Sequence, residues 1–163
     1  MAEARRDNSQ VTLRLDGARL LCVEARFYEE IGAMLLAGAE RAAAKAGASL
    51  EVITVAGALE IPIMMKIALE AATSAGVPYD GAVALGCVIR GQTYHFEIVA
   101  DQSARALMDL GLARNLALGN SILTMDTMEQ AHLRADPERG DKGGEAVRAA
   151  LGLAAHKRRL GVK

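Results

Sequence analysis

The stretch Ala82-Val83-Ala84-Leu85-Gly86-Cys87-Val88-Ile89 is apolar throughout and then breaks into Arg90-Gly91-Gln92-Thr93-Tyr94-His95-Phe96. A strand with one wet face alternates apolar and polar residues. An unbroken apolar run bounded by a turn signal fits a strand covered on both faces. Leu20-Leu21-Cys22-Val23 has the same character. Two buried strands of this kind point to a parallel sheet sheathed by helices.

Between and beyond these strands the period changes to that of a helix. From Glu29, residues Ile31, Met34, Leu35, Gly38 and Ala42 share one face. Gly38 lets a neighbouring element approach closely, and Gly47 offers a stop. Leu50 to Val55 alternate as a strand. Pro62 stands where a helix begins, with Ile61, Met64, Met65, Ala68 and Ala72 on one face, and Gly76 and Pro78 end it. Glu97 to Leu110 reads as helix with Val99, Ala106 and Leu110 inward. Leu116 to Leu123 is the last strand candidate, interrupted by Gly119-Asn120. Asp126 and Glu129 form an N-terminal capping arrangement for a short helix to about Arg134. Asp141 opens a final helix with an inward stripe of Val147, Ala150, Leu151 and Ala154. Val11 to Leu15 alternate as a short edge strand, and residues 1–10 read as a flexible arm ahead of a single domain over 11–163. The alternation of strand and helix predicts an α/β fold: a three-layer α/β/α sandwich, flavodoxin-like, with a mainly parallel central sheet.

Composition narrows the function classes. Hydrophobic residues make up 52% of the 163-residue chain and aromatics only 3%, so the core must be built from aliphatic side chains and Met. Lys and Arg number 19 against 20 Asp and Glu, which gives no electrostatic footprint for nucleic acid. The basic run His156-Lys157-Arg158-Arg159 fits the last turn of a helix, where cations complement the macrodipole. Cys22 and Cys87 lie in buried strands, as free thiols of a reducing compartment do. Met1 is followed by a polar stretch, and no apolar run is long enough to span a membrane, so a cytoplasmic protein is expected. The histidines at 95, 132 and 156 lack metal-ligand spacing, so no metal is expected.

Three segments become polar or glycine-bearing where strands end: Glu24 to Tyr28, Ala56 to Glu60, and Arg90 to His95. In open parallel sheets ligands bind beyond the carboxyl ends of the strands, so these segments should line one crevice. Phe27 can stack on a planar ligand or pack on its own domain. Glu60 can bind ligand hydroxyls or simply suit the first turn of a helix. His95 can move protons near neutral pH or be structural. Gln92 and Thr93 precede a helix, a place that suits an anion, although neither a P-loop nor a dinucleotide fingerprint is present. Arg134 can offer a guanidinium fork to a phosphate or be a solvated charge at a helix end.

In combination these segments are specific. Arg26-Phe27, then Gly57-Ala58-Leu59-Glu60-Ile61-Pro62, then Val88 to Phe96, then Glu129 to Ala135, then Lys142-Gly143-Gly144-Glu145-Ala146 resemble the lumazine synthase family from about Cys22 onward. The resemblance implies condensation of 5-amino-6-(D-ribitylamino)uracil with L-3,4-dihydroxy-2-butanone 4-phosphate, the penultimate step of riboflavin biosynthesis, without cofactor or metal. It implies that Phe27 stacks on the pyrimidine, that Ala58, Leu59 and Glu60 bind the ribityl chain, and that Cys87, Val88 and Ile89 meet the uracil edge. Gln92 and Thr93 would hold the phosphate, Arg134 from a neighbouring subunit would clamp it, Lys142 would stand nearby, and His95 would carry protons. The chain departs from the family pattern at Ala56, where Pro is usual, at Tyr28, where Asn is frequent, and at Asn120, where many members place an aromatic that covers the ring across the subunit interface. The resemblance further implies a homopentamer or an assembly of pentamers, with the site between adjacent subunits.

Overall fold

Strand β1 (Arg19–Ala25) lies between β2 (Ser49–Val55) and β3 (Gly81–Ile89), and β4 (Leu118–Met125) completes a sheet of order β2-β1-β3-β4. All three pairings are parallel. The computed structural model describes residues 13–162. The helices are α1 (Glu29–Ala46), α2 (Glu60–Ser74), α3 (His95–Arg114), α4 (Met128–Ala135) and α5 (Lys142–Leu160).

Successive side chains of a strand point to opposite faces, so each buried strand feeds two cores. Leu20 and Cys22 of β1, and Val83, Leu85 and Cys87 of β3, pack with α1, α4 and α5. Leu21, Val23 and Ala25, with Ala82 and Ala84, pack with α2 and α3. Leu20, Leu21, Ile61, Met65 and Leu85 are wholly buried, each contributing about 1.5–3 kcal/mol relative to exposure. The expected three-layer α/β/α sandwich is therefore present, and its described sheet is entirely parallel.

Several boundaries differ from the sequence reading, each for a local reason. Helix α3 starts at His95, two residues before Glu97, and runs on to Arg114, where Asn115 in the left-handed conformation (φ 48°) ends it. Its buried stripe is Ser103, Leu107 and Leu110, with Val99 and Ala106 only half-buried. Helix α2 starts at Glu60, so Pro62 is its third residue; the first-turn amides have no intrahelical acceptor, and Pro is tolerated there too. The cap of α4 is Thr127, whose hydroxyl accepts from the Gln130 amide, while the Gln130 side chain reaches back to the Asp126 amide. The capping arrangement thus lies one residue later than Asp126 and Glu129. Gly119 and Asn120 do not interrupt β4, which runs through both. Residues 13–15 form no strand; Leu15 instead donates its amide to the Ala46 carbonyl and packs against the α1 core. Val11, Thr12 and the arm at 1–10 lie outside the described residues.

Helix α5 packs with little room between backbones. A Cβ on Gly143 would sit 1.9 Å from the Leu35 carbonyl oxygen of α1, and one on Gly119 would sit 1.9 Å from the Ala146 carbonyl oxygen. Gly38 of α1 leaves space for the Asp141 carboxylate, as its small size suggested. That carboxylate accepts from Arg148 Nη2 at 3.0 Å, and Arg41 lies 3.8 Å away. Gly119→Ala is therefore expected to destabilise the protein by about 1–3 kcal/mol, because the neighbour is backbone and cannot swing aside. Gly152, within the same helix and with nothing within 4 Å of a built Cβ, is the control: Gly152→Ala should stabilise by about 0.5–1 kcal/mol. Denaturant midpoints of the two variants check both signs.

Candidate active site

The chain leaves β1 toward β2 and later returns past β1 to β3, so the connections diverge at the carboxyl ends of β1 and β3. A cleft of about 390 Å³ opens there, lined by Phe27, the segment Ala56 to Glu60, Cys87, Val88, His95 and Val99. Seven of the residues singled out from the sequence meet in it: Phe27, Ala58, Leu59, Glu60, Cys87, Val88 and His95.

Phe27 follows β1 and is 75% exposed, its ring edge-on to Tyr28 at 5.1 Å between centroids. It is thus a free aromatic face at the rim and not a core residue. The segment before it is fixed by Glu24, buried at the end of β1, whose Oε1 accepts from Arg26 Nε and from the Thr54 hydroxyl, both at 2.9 Å. Ala58 is buried, Leu59 caps α2, and Glu60 is its exposed first residue, where a carboxylate suits the helix dipole. Gly57 keeps the wall low: a Cβ there would stand 3.0 Å from Glu60 Oε2.

Cys87 and Val88 bring the end of β3 to the cleft. Burial pushes the Cys87 thiol up to about 11. Burial raises the Cys22 thiol as well, with the nearby Glu24 charge acting in the same direction. Both are free cysteines and stay protonated at neutral pH, so neither is a ready nucleophile. His95 is exposed at the first position of α3. No hydrogen bond or ion pair holds its imidazole among the described residues. Gln92 and Thr93 are exposed in the β3–α3 connection, close in sequence to the cleft but not lining it, and Ile89 is the last, half-buried residue of β3.

Arg134, Lys142 and Asn120 are not brought to this cleft. Arg134 belongs to α4, which packs with α1 and α5 on the other face of the sheet, and its Nη1 donates to the Gln130 carbonyl at 3.2 Å. Lys142 pairs with Glu145 at 2.6 Å in the first turn of α5. Asn120 lies on the edge strand β4, exposed, opposite Ala84 of β3, which is three residues before Cys87 and so about 10 Å down the strand. Its Oδ1 accepts from the Ile122 amide at 2.9 Å.

Sequence reasoning passed over Arg90 as a working side chain. It bridges Glu97 and Asp126 and lies 4.3 Å over the Phe96 ring. The signal available was an arginine seven residues before an acid on the following helix, which is weak without knowing that the intervening loop folds back. Among the described residues no group of three or more His, Cys, Asp or Glu side chains is placed to hold a metal ion.

The thiol environments make a direct prediction. A disulfide thiol reagent at pH 8 should label neither Cys22 nor Cys87 of the native protein within minutes, and both after denaturation. Rapid labelling of the native chain would contradict their burial.

The chain aligns along its length with known proteins. Residues 17–158 match the family model described as 6,7-dimethyl-8-ribityllumazine synthase. It is 60% identical over 161 residues to a Methylocella silvestris protein named 6,7-dimethyl-8-ribityllumazine synthase, covering 99% of this chain and 98% of that one. It is 55% identical over 160 residues to 6,7-dimethyl-8-ribityllumazine synthase 1 of Rhodopseudomonas palustris, with 98% of each chain covered. An Azorhizobium caulinodans protein bearing the same enzyme name is 55% identical over 159 residues, again with 98% of each chain covered. With the fold, the strand-end cleft and this alignment in agreement, the chain belongs to the 6,7-dimethyl-8-ribityllumazine synthase family, transferases of riboflavin biosynthesis.

Proposed function

We propose that the cleft is the pyrimidine-binding half of an active site that condenses 5-amino-6-(D-ribitylamino)uracil with L-3,4-dihydroxy-2-butanone 4-phosphate, giving 6,7-dimethyl-8-ribityllumazine, phosphate and water. One observation carries the assignment of the site. Three strand-end segments, distant in sequence, converge so that Phe27, Ala58, Leu59, Glu60, Cys87, Val88 and His95 border one cavity.

The chemistry follows from the residue types. The exposed Phe27 ring stacks on the flat pyrimidine at small entropic cost, having only two side-chain torsions. Ala58 and Leu59 offer backbone groups, and the Glu60 carboxylate accepts from ribityl hydroxyls. Cys87, Val88 and Ile89 present main-chain donors and acceptors to the uracil edge. Gln92 and Thr93, just before α3, receive the phosphate at the positive end of a twenty-residue helix. Schiff-base formation, loss of phosphate through an enol and ring closure each move protons, and His95 is the group positioned to carry them. Holding both substrates in one cleft supplies a further share of the acceleration.

The phosphate end is completed by a second copy. Arg134, Lys142 and Asn120 lie away from the cleft of their own chain, so a site that uses them takes them from a neighbour. The exposed apolar side chains Ile63 and Ile67 of α2, and Met108 and Leu112 of α3, offer such a neighbour a surface. A homopentamer, or an assembly of pentamers, is the form proposed. Asn120 then offers an amide where an aromatic would have covered the ring, so the ring leans more heavily on Phe27. A cytoplasmic location and independence from cofactors belong to the same reading; no helix of the described residues is long and apolar enough to cross a membrane.

Incubating the protein with both substrates should produce the fluorescence of the lumazine. His95→Ala should lower kcat by about a hundredfold or more while leaving the light-scattering mass unchanged. Arg134→Ala should raise KM for the phosphate substrate more than KM for the pyrimidine. No product from a well-assembled protein would refute the catalytic reading, and a monomer with full activity would refute the shared site.

A further inference from the structure

The His95 imidazole has no hydrogen-bonding neighbour to orient it among the described residues, yet a proton carrier must be held in place to act. Its position therefore depends on how the first turn of α3 is fixed. The residues immediately after it, Phe96 and Glu97, are both gripped by one side chain. Arg90 places the face of its guanidinium 4.3 Å over the Phe96 ring. Its Nη1 donates to Glu97 Oε1. Its Nε donates to Asp126 Oδ1 at 2.9 Å, and its own amide donates to the Met125 carbonyl at 2.9 Å. Face, tip and inner edge of one planar group thus hold a ring, a helix and the β4–α4 connection together.

We infer that Arg90 is a positioning residue for the proposed reaction, fixing the first turn of α3, and through it the His95 imidazole, against the end of β4. The inference rests on His95 being the proton carrier. Only arginine has the shape for it: a lysine offers a point charge that can meet one carboxylate at a time and cannot lay a flat face on Phe96. The guanidinium hydrogen bond lowers the Glu97 carboxyl from its ordinary value, which favours the charged form that Arg90 grips. Arg90, Glu97 and Asp126 are each partly exposed, with side chains 46%, 32% and 65% accessible, so the cluster adds little to global stability. The same loop carries Gln92 and Thr93 between Arg90 and α3, so both of its ends are anchored by this one residue. The Asp126 amide in turn donates to Gln130 Oε1 at 3.0 Å, which ties the clamp to α4.

The test separates positioning from binding and from folding. Arg90→Gln should lower kcat about tenfold, with KM for both substrates within about twofold and the light-scattering mass unchanged. Arg90→Lys should recover part of that loss, and Glu97→Gln, which leaves the Arg90–Asp126 bond in place, should reproduce its direction. Hydrogen exchange measured by mass spectrometry should quicken about tenfold over residues 95–100 in Arg90→Gln, with the β1 and β3 segments unchanged. A kcat within about twofold of the parent overturns the inference, as does unchanged exchange at 95–100. So does a raised KM for the phosphate substrate at constant kcat, which would make Arg90 a substrate ligand. If Arg90→Gln fails to assemble, Glu97→Gln decides by the same readouts. Absence of product from the parent protein would count against the proposed function alone, because the exchange measurement still reads the clamp.

Discussion

The placement of β1 between β2 and β3, with every pair parallel, is the constraint on which the rest of the molecule depends. Parallel neighbours cannot be joined by a tight turn; each needs a crossover, and crossovers are right-handed. Moving from β1 to β2 in one direction puts α1 on one face. Moving back past β1 to β3 puts α2 on the other, and continuing to β4 keeps α3 beside α2. The chain ends leaving β1 and β3 must then part company. The crevice between them follows from that order of strands, whatever side chains fill it.

The layer behind the sheet is set by the absence of side chains. Helix α5 approaches α1 at Gly143 and β4 at Gly119 closely enough that one methyl group would meet a carbonyl oxygen at 1.9 Å. The segment Lys142 to Ala146 is one of the motifs that carry the family resemblance, which implies a place near the binding site for Lys142. In the folded chain its glycines and Ala146 are packing residues, and its two charges, Lys142 and Glu145, pair with each other. The close approach fixes α5 against both neighbours, and with it the Asp141 carboxylate held between Arg41 and Arg148. Ala-rich helix faces and a nearly aromatic-free core are consistent with the same strategy: short side chains, short distances between layers, and backbone in close contact.

At the cleft the opposite holds, because side chains there are placed but not locked. Phe27 stands exposed at the rim, and among the described residues Glu60 in the first turn of α2 and His95 at the start of α3 have no partner that orients their side chains. Their precision comes from the strand ends and helix starts that carry them, and from charges just outside the cleft. Glu24, buried and bonded to Arg26 and Thr54, ties the end of β1 to β2 immediately before Phe27. Arg90 does the equivalent work at the end of β3. The walls of the site are thus rigid by virtue of the sheet, and its reacting groups inherit their positions from the main chain.

The sequence by itself determined the parts of this protein that depend on local pattern. Unbroken apolar runs marked β1 and β3 as strands covered on both faces, helical periodicity marked α1, α2 and α5, and Gly47 and Gly76 marked helix ends, because these depend on burial and on neighbours a few residues away. The same pattern placed Phe27, Glu60 and His95 at strand ends, and the family resemblance named their partners. Tertiary structure alone decided where α3 begins, which put His95 on the helix and not before it, since the grip of Arg90 on Phe96 and Glu97 joins residues across a folded loop. It also decided that Leu13 to Leu15 form no strand, since Leu15 finds its acceptor on α1. It separated Arg134, Lys142 and Asn120 from the cleft, because α4 and α5 cover the opposite face of the sheet and Asn120 sits lower on its edge. That separation depends on which face each helix covers, a property of the whole sheet that no local stretch of sequence encodes.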